Sequence, residues 1–263
     1  MDVGKIVSNS LKYPFRNIKK LPILFMLFVL VALIPIGMVL DNRYILICGF
    51  IAFFIFILFV PGYLFSMVRI GIHESAVFPS LTFGNTIYDS IRLWVLRMAY
   101  MIVPALVFFI SLSTVGMSSL NMLYEFKIPS FILAFGMVLL LVLVVYIIFE
   151  VLLFFAKARL AYLDSLTEAL KINRVLSDIR NIGIFNIIKW LIIMAILMIV
   201  VSVVSSWIIA IPYVGLLIYI GVVLPILESI GNYSLGLLYS NIARNSNDLS
   251  RIEKELNELN KLN

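Results

Sequence analysis

Six runs of about twenty or more mostly apolar residues recur along this chain of 263 residues, and their length constrains the fold more than any motif does. Each can cross roughly 30 Å of hydrocarbon as an α-helix. Hydrophobic residues are 63% of the chain and charged ones 13%. That excludes ordinary globular domains, which hold about 45–50% and 25%. The sequence therefore predicts an all-α, polytopic integral membrane bundle of six transmembrane helices in three hairpins, with amphipathic interfacial helices on the cytoplasmic side.

The spans are read at about 21–40, 44–67, 93–115, 129–156, 184–210 and 214–239, within a membrane domain of residues 21–241. Pro22, Pro35 and Pro61 are tolerated because neighbouring helices and water can satisfy the freed backbone groups. No small-x-small site follows the first run, so it reads as an uncleaved anchor. Before it, residues 1–20 predict a basic amphipathic helix at the interface, with Val3, Ile6, Val7 and Leu11 on one face and Lys5, Ser8 and Lys12 off it.

Two more interfacial helices are expected, at about 80–92 and 164–180. In the first, Thr86 and Asp89 resemble a capping signal; in the second, Ser165 and Glu168 form an S-x-x-E capping box. Leu166, Leu170, Val175, Leu176 and Ile179 there recur beside Lys171, Arg174 and Arg180, giving a basic amphipathic helix. Asp164, Glu168 and Asp178 read as charge balance. Residues 242–263 turn polar, and Leu249, Ile252, Leu256 and Leu259 predict a cytoplasmic tail helix that packs on the core or on a second subunit.

Eighteen of the twenty Lys and Arg residues fall on one side of this arrangement; only Arg43 and Lys127 fall on the other. That places both termini in the cytoplasm of a multi-pass protein of the cell membrane. The net charge of +6 lies between apolar runs, so its partner is the anionic headgroups of the bilayer, not nucleic acid. Cys48 and His73 are single, which excludes an intramolecular disulfide and a multi-histidine metal cluster. There is no G-x-x-x-x-G-K-[ST], H-E-x-x-H or G-x-S-x-G. No cofactor, metal or catalytic residue is expected.

Two glutamates lie inside spans, where an ionisable group marks a functional or paired position. Glu150 has cations within reach: Arg97 on the antiparallel span three and Lys157 two turns along its own helix. These three are read as a structural ion pair with a second, snorkelling cation. Glu228 lies near mid-span, and the antiparallel stretch of span five around Leu197 offers no basic residue. Gly221, Pro225, Glu228 and Asn232 fall on one face at helical spacing, and Gly236 extends it. Two readings stay open: a small-residue packing seam with a protonated Glu228, or a polar pathway for a proton, cation or headgroup.

Arg16-Asn17-Ile18 and Arg180-Asn181-Ile182 lie 164 residues apart, as do Pro61 and Pro225, a weak repeat between the first and third hairpins. At LKYPFRNIKKL (11–21) and ARLAYLDSLTEALKINRVL (158–176) the chain resembles a family of archaeal and bacterial multi-pass membrane proteins defined by a domain of unknown function. In outline it is also similar to the membrane region of some glycerophosphodiesterases. The resemblance implies a multi-pass fold and carries no catalytic residues. The expectation is a non-enzymatic membrane protein, transporter-like or a scaffold. The alternative is a subunit docking a cytoplasmic partner, or a second copy, through the 164–180 helix or the tail. A lipid-modifying enzyme would need a nucleophile or metal set that is missing.

Overall fold

A computed structural model describes the backbone of residues 2–113, 128–211 and 214–259, and side chains over 2–113, 133, 135–211 and 214–243. The connection read at 116–128, apart from its last residue, and the Pro212-Tyr213 turn lie outside the described residues, as do the side chains of the tail's apolar face. The helices are α1 (Val3–Arg16), α2 (Leu21–Val39), α3 (Arg43–Ile72), α4 (Phe83–Ser111), α5 (Ile128–Leu163), α6 (Leu166–Leu170), α7 (Ile172–Ile182), α8 (Ile184–Ile209), α9 (Val214–Ile218) and α10 (Leu224–Leu259). A single π-turn, Tyr219–Val223, joins α9 to α10.

Six helical stretches are long and apolar enough to cross a membrane: Ile18–Val39, Arg43–Ile72, Phe83–Ser111, Phe135–Leu163, Ile184–Ile209 and Val214–Ala243. Large apolar side chains such as Phe54, Phe109, Ile147 and Trp207 point outward along them. A face of that kind is stable against lipid and not against water. The fold is an all-α polytopic bundle.

Helix α3 is its axis, touching α2, α4, α5 and α10. Small residues permit these crossings. A Cβ on Gly62 would lie 2.0 Å from the Thr86 carbonyl oxygen of α4, and one on Gly71 would lie 2.5 Å from the Tyr233 carbonyl oxygen of α10. Pro61 strips the Ile57 carbonyl of its helical donor. Two α4 side chains repair the damage: Trp94 Nε1 donates to Ile57 O at 3.2 Å, and the Gly62 N–H donates to Ser90 Oγ at 2.7 Å. The proline kink is thus fastened to the next span.

The helix α1 is amphipathic, with Asp2 capping it through the Gly4 N–H. Its apolar stripe of Val3, Ile6, Val7 and Tyr13 is buried against α8 and α10 and not against lipid. Tyr13 stacks on Tyr233 with ring centroids 3.8 Å apart. It also donates to Val77 O at 3.3 Å, while Asn17 donates to Ala76 O at 2.8 Å and Lys20 to Phe78 O at 3.0 Å. Burial, reinforced by Tyr233 and Tyr63, pushes the Tyr13 phenol up, so it stays a protonated donor.

Three local expectations need correction. The interfacial helix at 80–92 is not separate: α4 runs unbroken from Phe83, and Thr86 and Asp89 are buried inside it. Nothing between Asp89 and Leu93 breaks a helix, and the polar residues there find partners in the bundle. The helix at 164–180 is two helices, α6 and α7, divided at Lys171 (φ −77°, ψ 92°). Its capping box does not form: Ser165 Oγ meets Thr167 Oγ1, and Glu168 turns to Arg159 and Lys171. A stronger charge-assisted partner displaces the cap.

Candidate functional site

Charged side chains gather at one end of the bundle. Arg69 donates to Asp89 Oδ2 at 3.0 Å and to Asp164 Oδ1 at 2.8 Å. Arg92 donates to the same Asp164 oxygen at 2.7 Å and also to the Asp164 carbonyl. Asp164 ends α5 in the left-handed region (φ 52°), where side chains other than glycine's are uncommon, and the two arginines hold it there. Beside them, Arg159 Nη1 donates to Asp178 Oδ2 at 2.6 Å, and the Tyr239 hydroxyl donates to that oxygen at 2.6 Å. Three helices, α5, α7 and the sequence-distant α10, are joined at one carboxylate.

The Arg92 hydrogen bond holds the Asp164 carboxyl below its ordinary range, against partial desolvation and with help from the Arg92 and Arg69 charges. A depressed carboxylate contributes stability that is complete above the unfolded value of about 4 and is lost as pH falls through the folded one. The Asp164 side chain is 68% exposed, so solvent screening limits the effect to about 1 kcal/mol or less. Thermal unfolding in micelles between about pH 7 and pH 3 should show this loss. Asp164→Asn should melt lower at neutral pH and show a shallower acid limb. Parallel acid limbs for the two proteins would refute the assignment.

Inward from this end, Arg97 Nη2 donates to Glu150 Oε1 at 2.8 Å, and the Tyr146 hydroxyl donates to the same oxygen at 2.6 Å. Lys157 lines the same recess as Arg97 but does not bond Glu150. Its Nζ donates to Asn232 Oδ1 on α10, and Asn232 Nδ2 donates in turn to Glu228 Oε2 at 3.2 Å and to the Glu228 carbonyl at 2.7 Å. One amide therefore bridges an ammonium and a carboxylate, its oxygen facing the first and its nitrogen the second, as the chemistry of each requires. Asn232 is buried and Lys157 half-buried, while Glu228 is exposed along α10.

The basic residue thought missing near Glu228 is present, but it comes from α5 and not from the sequence-adjacent α8. Glu228 lies roughly 17 Å along α10 from Tyr239, at 1.5 Å per residue. Lys157 is two residues from Arg159. A line of hydrogen bonds thus runs from Lys157, about 3 Å along α5 from Arg159 of the charged end, through Asn232 to the Glu228 carboxylate.

Gly221 and Pro225 do not join this line. Gly221 faces Val29 of α2, where a Cβ would lie 2.4 Å from Val29 Cγ2, and Pro225 is buried while Glu228 is not. The one-face reading fails at the π-turn: Leu224 N–H bonds Tyr219 O, five residues back. The wider turn accommodates the Pro225 ring, which would strike the Gly221 carbonyl in a regular helix. It also rotates the residues before it relative to those after it. Gly236 belongs to yet another face, against Val68 and Gly71 of α3. Among the described residues no cluster of three or more His, Cys, Asp and Glu could hold a metal.

A six-span apolar bundle with paired charges inside it is a multi-pass membrane protein. Residues 45–210 match the family model described as "Protein of unknown function (DUF4013)", and the chain belongs to that family. Neither a curated protein nor a solved structure matches it. The likeness to the membrane region of glycerophosphodiesterases finds no support in these comparisons.

Proposed function

We propose that this is a transporter-like, non-enzymatic protein of the cell membrane, with both termini and the charged end in the cytoplasm, in which Glu228 takes up and releases a proton or small cation. The observation that carries this reading is the Glu228–Asn232–Lys157 line. An intramembrane carboxylate is costly unless it is partnered or reaches a wet cavity. Glu228 is partnered through Asn232 and lies on the surface of α10, so an occupant reaches it without parting a packed helix pair. The competing packing-seam role falls to other atoms of α10, since its tight small-residue crossing is Gly236 on Gly71. The orientation rests on the eighteen-to-two placement of Lys and Arg.

The test is flux in proteoliposomes loaded with a pH-sensitive dye and driven by a potassium diffusion potential. Wild-type protein is expected to acidify or alkalinise the lumen with the sign of the potential. Glu228→Gln should reduce that rate by an order of magnitude or more, since removing a titrating group abolishes its step. Glu228→Asp should retain part of it. Equal rates in wild type, Glu228→Gln and protein-free vesicles, repeated with sodium in place of protons, would end the transport reading.

A further inference from the structure

The seam between α4 and α5 carries two recesses cut into the same stripe of each helix. The one nearer the charged end is a 130 Å³ cavity lined by Pro61, Leu93, Trp94, Arg97, Leu153 and Lys157. The one further in is a 470 Å³ groove with apolar walls, among them Met101, Pro104, Phe108, Leu139 and Leu143. On α4 the lining residues from Leu93 to Phe109 recur at helical intervals, with adjacent pairs at three turns, and on α5 those from Lys157 back to Leu139 recur at intervals of three, four and seven, with one adjacent pair. That spacing keeps them on one face of each helix. The stretch from Arg97 to Phe109 is about 18 Å, close to the depth of one leaflet of a ~30 Å hydrocarbon core.

We propose that this seam binds one anionic phospholipid, its phosphate held by Arg97 and Lys157 in the cavity and an acyl chain lying in the groove. Arg97 and Lys157 both line the cavity. Glu150 occupies a single N–H of Arg97, whose side chain is half exposed. Lys157 spends one of its three N–H donors on Asn232, with Glu228 facing it through that amide. A guanidinium offers five N–H donors in a planar fork suited to a phosphate, and an ammonium adds a point charge. The indole N–H of Trp94 is already spent on Ile57 O, so its ring serves as an apolar wall. Shape points to the same ligand. A free phosphate would need the cavity alone, whereas a cationic pocket running into an apolar slot matches a headgroup joined to a chain. The site shares Lys157 with the Glu228–Asn232–Lys157 line, but it does not rest on the transport reading and would stand if Glu228 carried no flux.

Native mass spectrometry of the delipidated full-length protein tests this, with palmitoyl-oleoyl phosphatidylglycerol, the matching phosphatidylcholine and inorganic phosphate as probes. One phosphatidylglycerol is expected to bind tightly and phosphatidylcholine more weakly. Lys157→Gln should weaken the first about tenfold, the scale of one lost charge-assisted hydrogen bond. Because Arg97→Gln alone would strand Glu150, the Arg97→Gln/Glu150→Gln pair is the second variant, accepted only if it elutes and melts as a folded protein. It should weaken phosphatidylglycerol similarly. Leu143→Trp, which fills the groove, should weaken both lipids. Equal binding of the two lipids, or phosphatidylglycerol binding unchanged in both charge variants, overturns the proposal. Displacement of phosphatidylglycerol by inorganic phosphate at matched concentration overturns it in favour of a soluble anion.

Discussion

Gly71→Val and Gly236→Val are each expected to destabilise the folded bundle by about 3 kcal/mol or more, the upper range for forcing volume into a closed contact. A Cβ on Gly236 would lie 2.3 Å from the Val68 carbonyl oxygen and 2.8 Å from Gly71 Cα; one on Gly71 would lie 2.5 Å from the Tyr233 carbonyl oxygen. These are backbone atoms, so no rotamer change relieves the clash and the two helices must separate. Separation would also pull Tyr233 from its stack on Tyr13 and its hydroxyl from Ser75 O, 3.0 Å away. The loss would therefore spread from α10 into α1 and the 75–79 connection. Gly84→Ala is the control, since nothing lies within 4 Å of its Cβ position. It should be neutral or stabilising by about 0.5–1 kcal/mol, the ordinary gain from removing a helical glycine. Thermal melting and monodisperse yield in detergent read both effects. A Gly236→Val protein that melts with wild type would mean that this crossing is looser than described.

Removing one partner of the Arg159–Asp178 pair should be comparably severe. Both side chains are nearly buried, at 12% and 8% exposed. Arg159 also donates to the Glu168 carbonyl at 3.1 Å. Arg159→Met leaves Asp178 a buried carboxylate whose one remaining partner among the described residues is the Tyr239 hydroxyl, and is expected to cost about 3–5 kcal/mol. Arg159→Met with Asp178→Leu removes the stranded charge and should recover most of that loss. A double variant no better than the single would show that the cost lies in packing or in the Glu168 contact. The folded structure would then depend on Arg159 mainly through its stem.

The residues that were legible in the sequence are those whose meaning is local. Span length and composition announce six crossings, and depth matching along one antiparallel hairpin brings Arg97 beside Glu150. What the sequence could not show depends on which non-adjacent helices meet. Lys157 reaches Asn232 because α5 and α10 are neighbours in space although 75 residues separate the two side chains. A search limited to the sequence-adjacent span finds no cation there. Asp89 and Arg92, spaced i and i+3 near the start of a span, were a usable sign of a charge cluster, but their partners Arg69 and Asp164 lie at the ends of two other helices. The shared face of Gly221 and Glu228 failed for a different reason. Helical spacing assumes a constant 3.6 residues per turn, and a π-turn beside a proline breaks that assumption.

Transport through Glu228 requires that water from the charged end reach it. Glu228→Cys in a Cys48→Ser background, embedded in vesicles of known sidedness, decides this with a small membrane-impermeant thiol reagent. The polar line through Lys157 and Asn232 predicts labelling of the 228 thiol from the side that carries the termini, slowed by Asn232→Leu, which blocks the line. Absence of labelling from either side, while a Ser75→Cys control reacts fully, would contradict it.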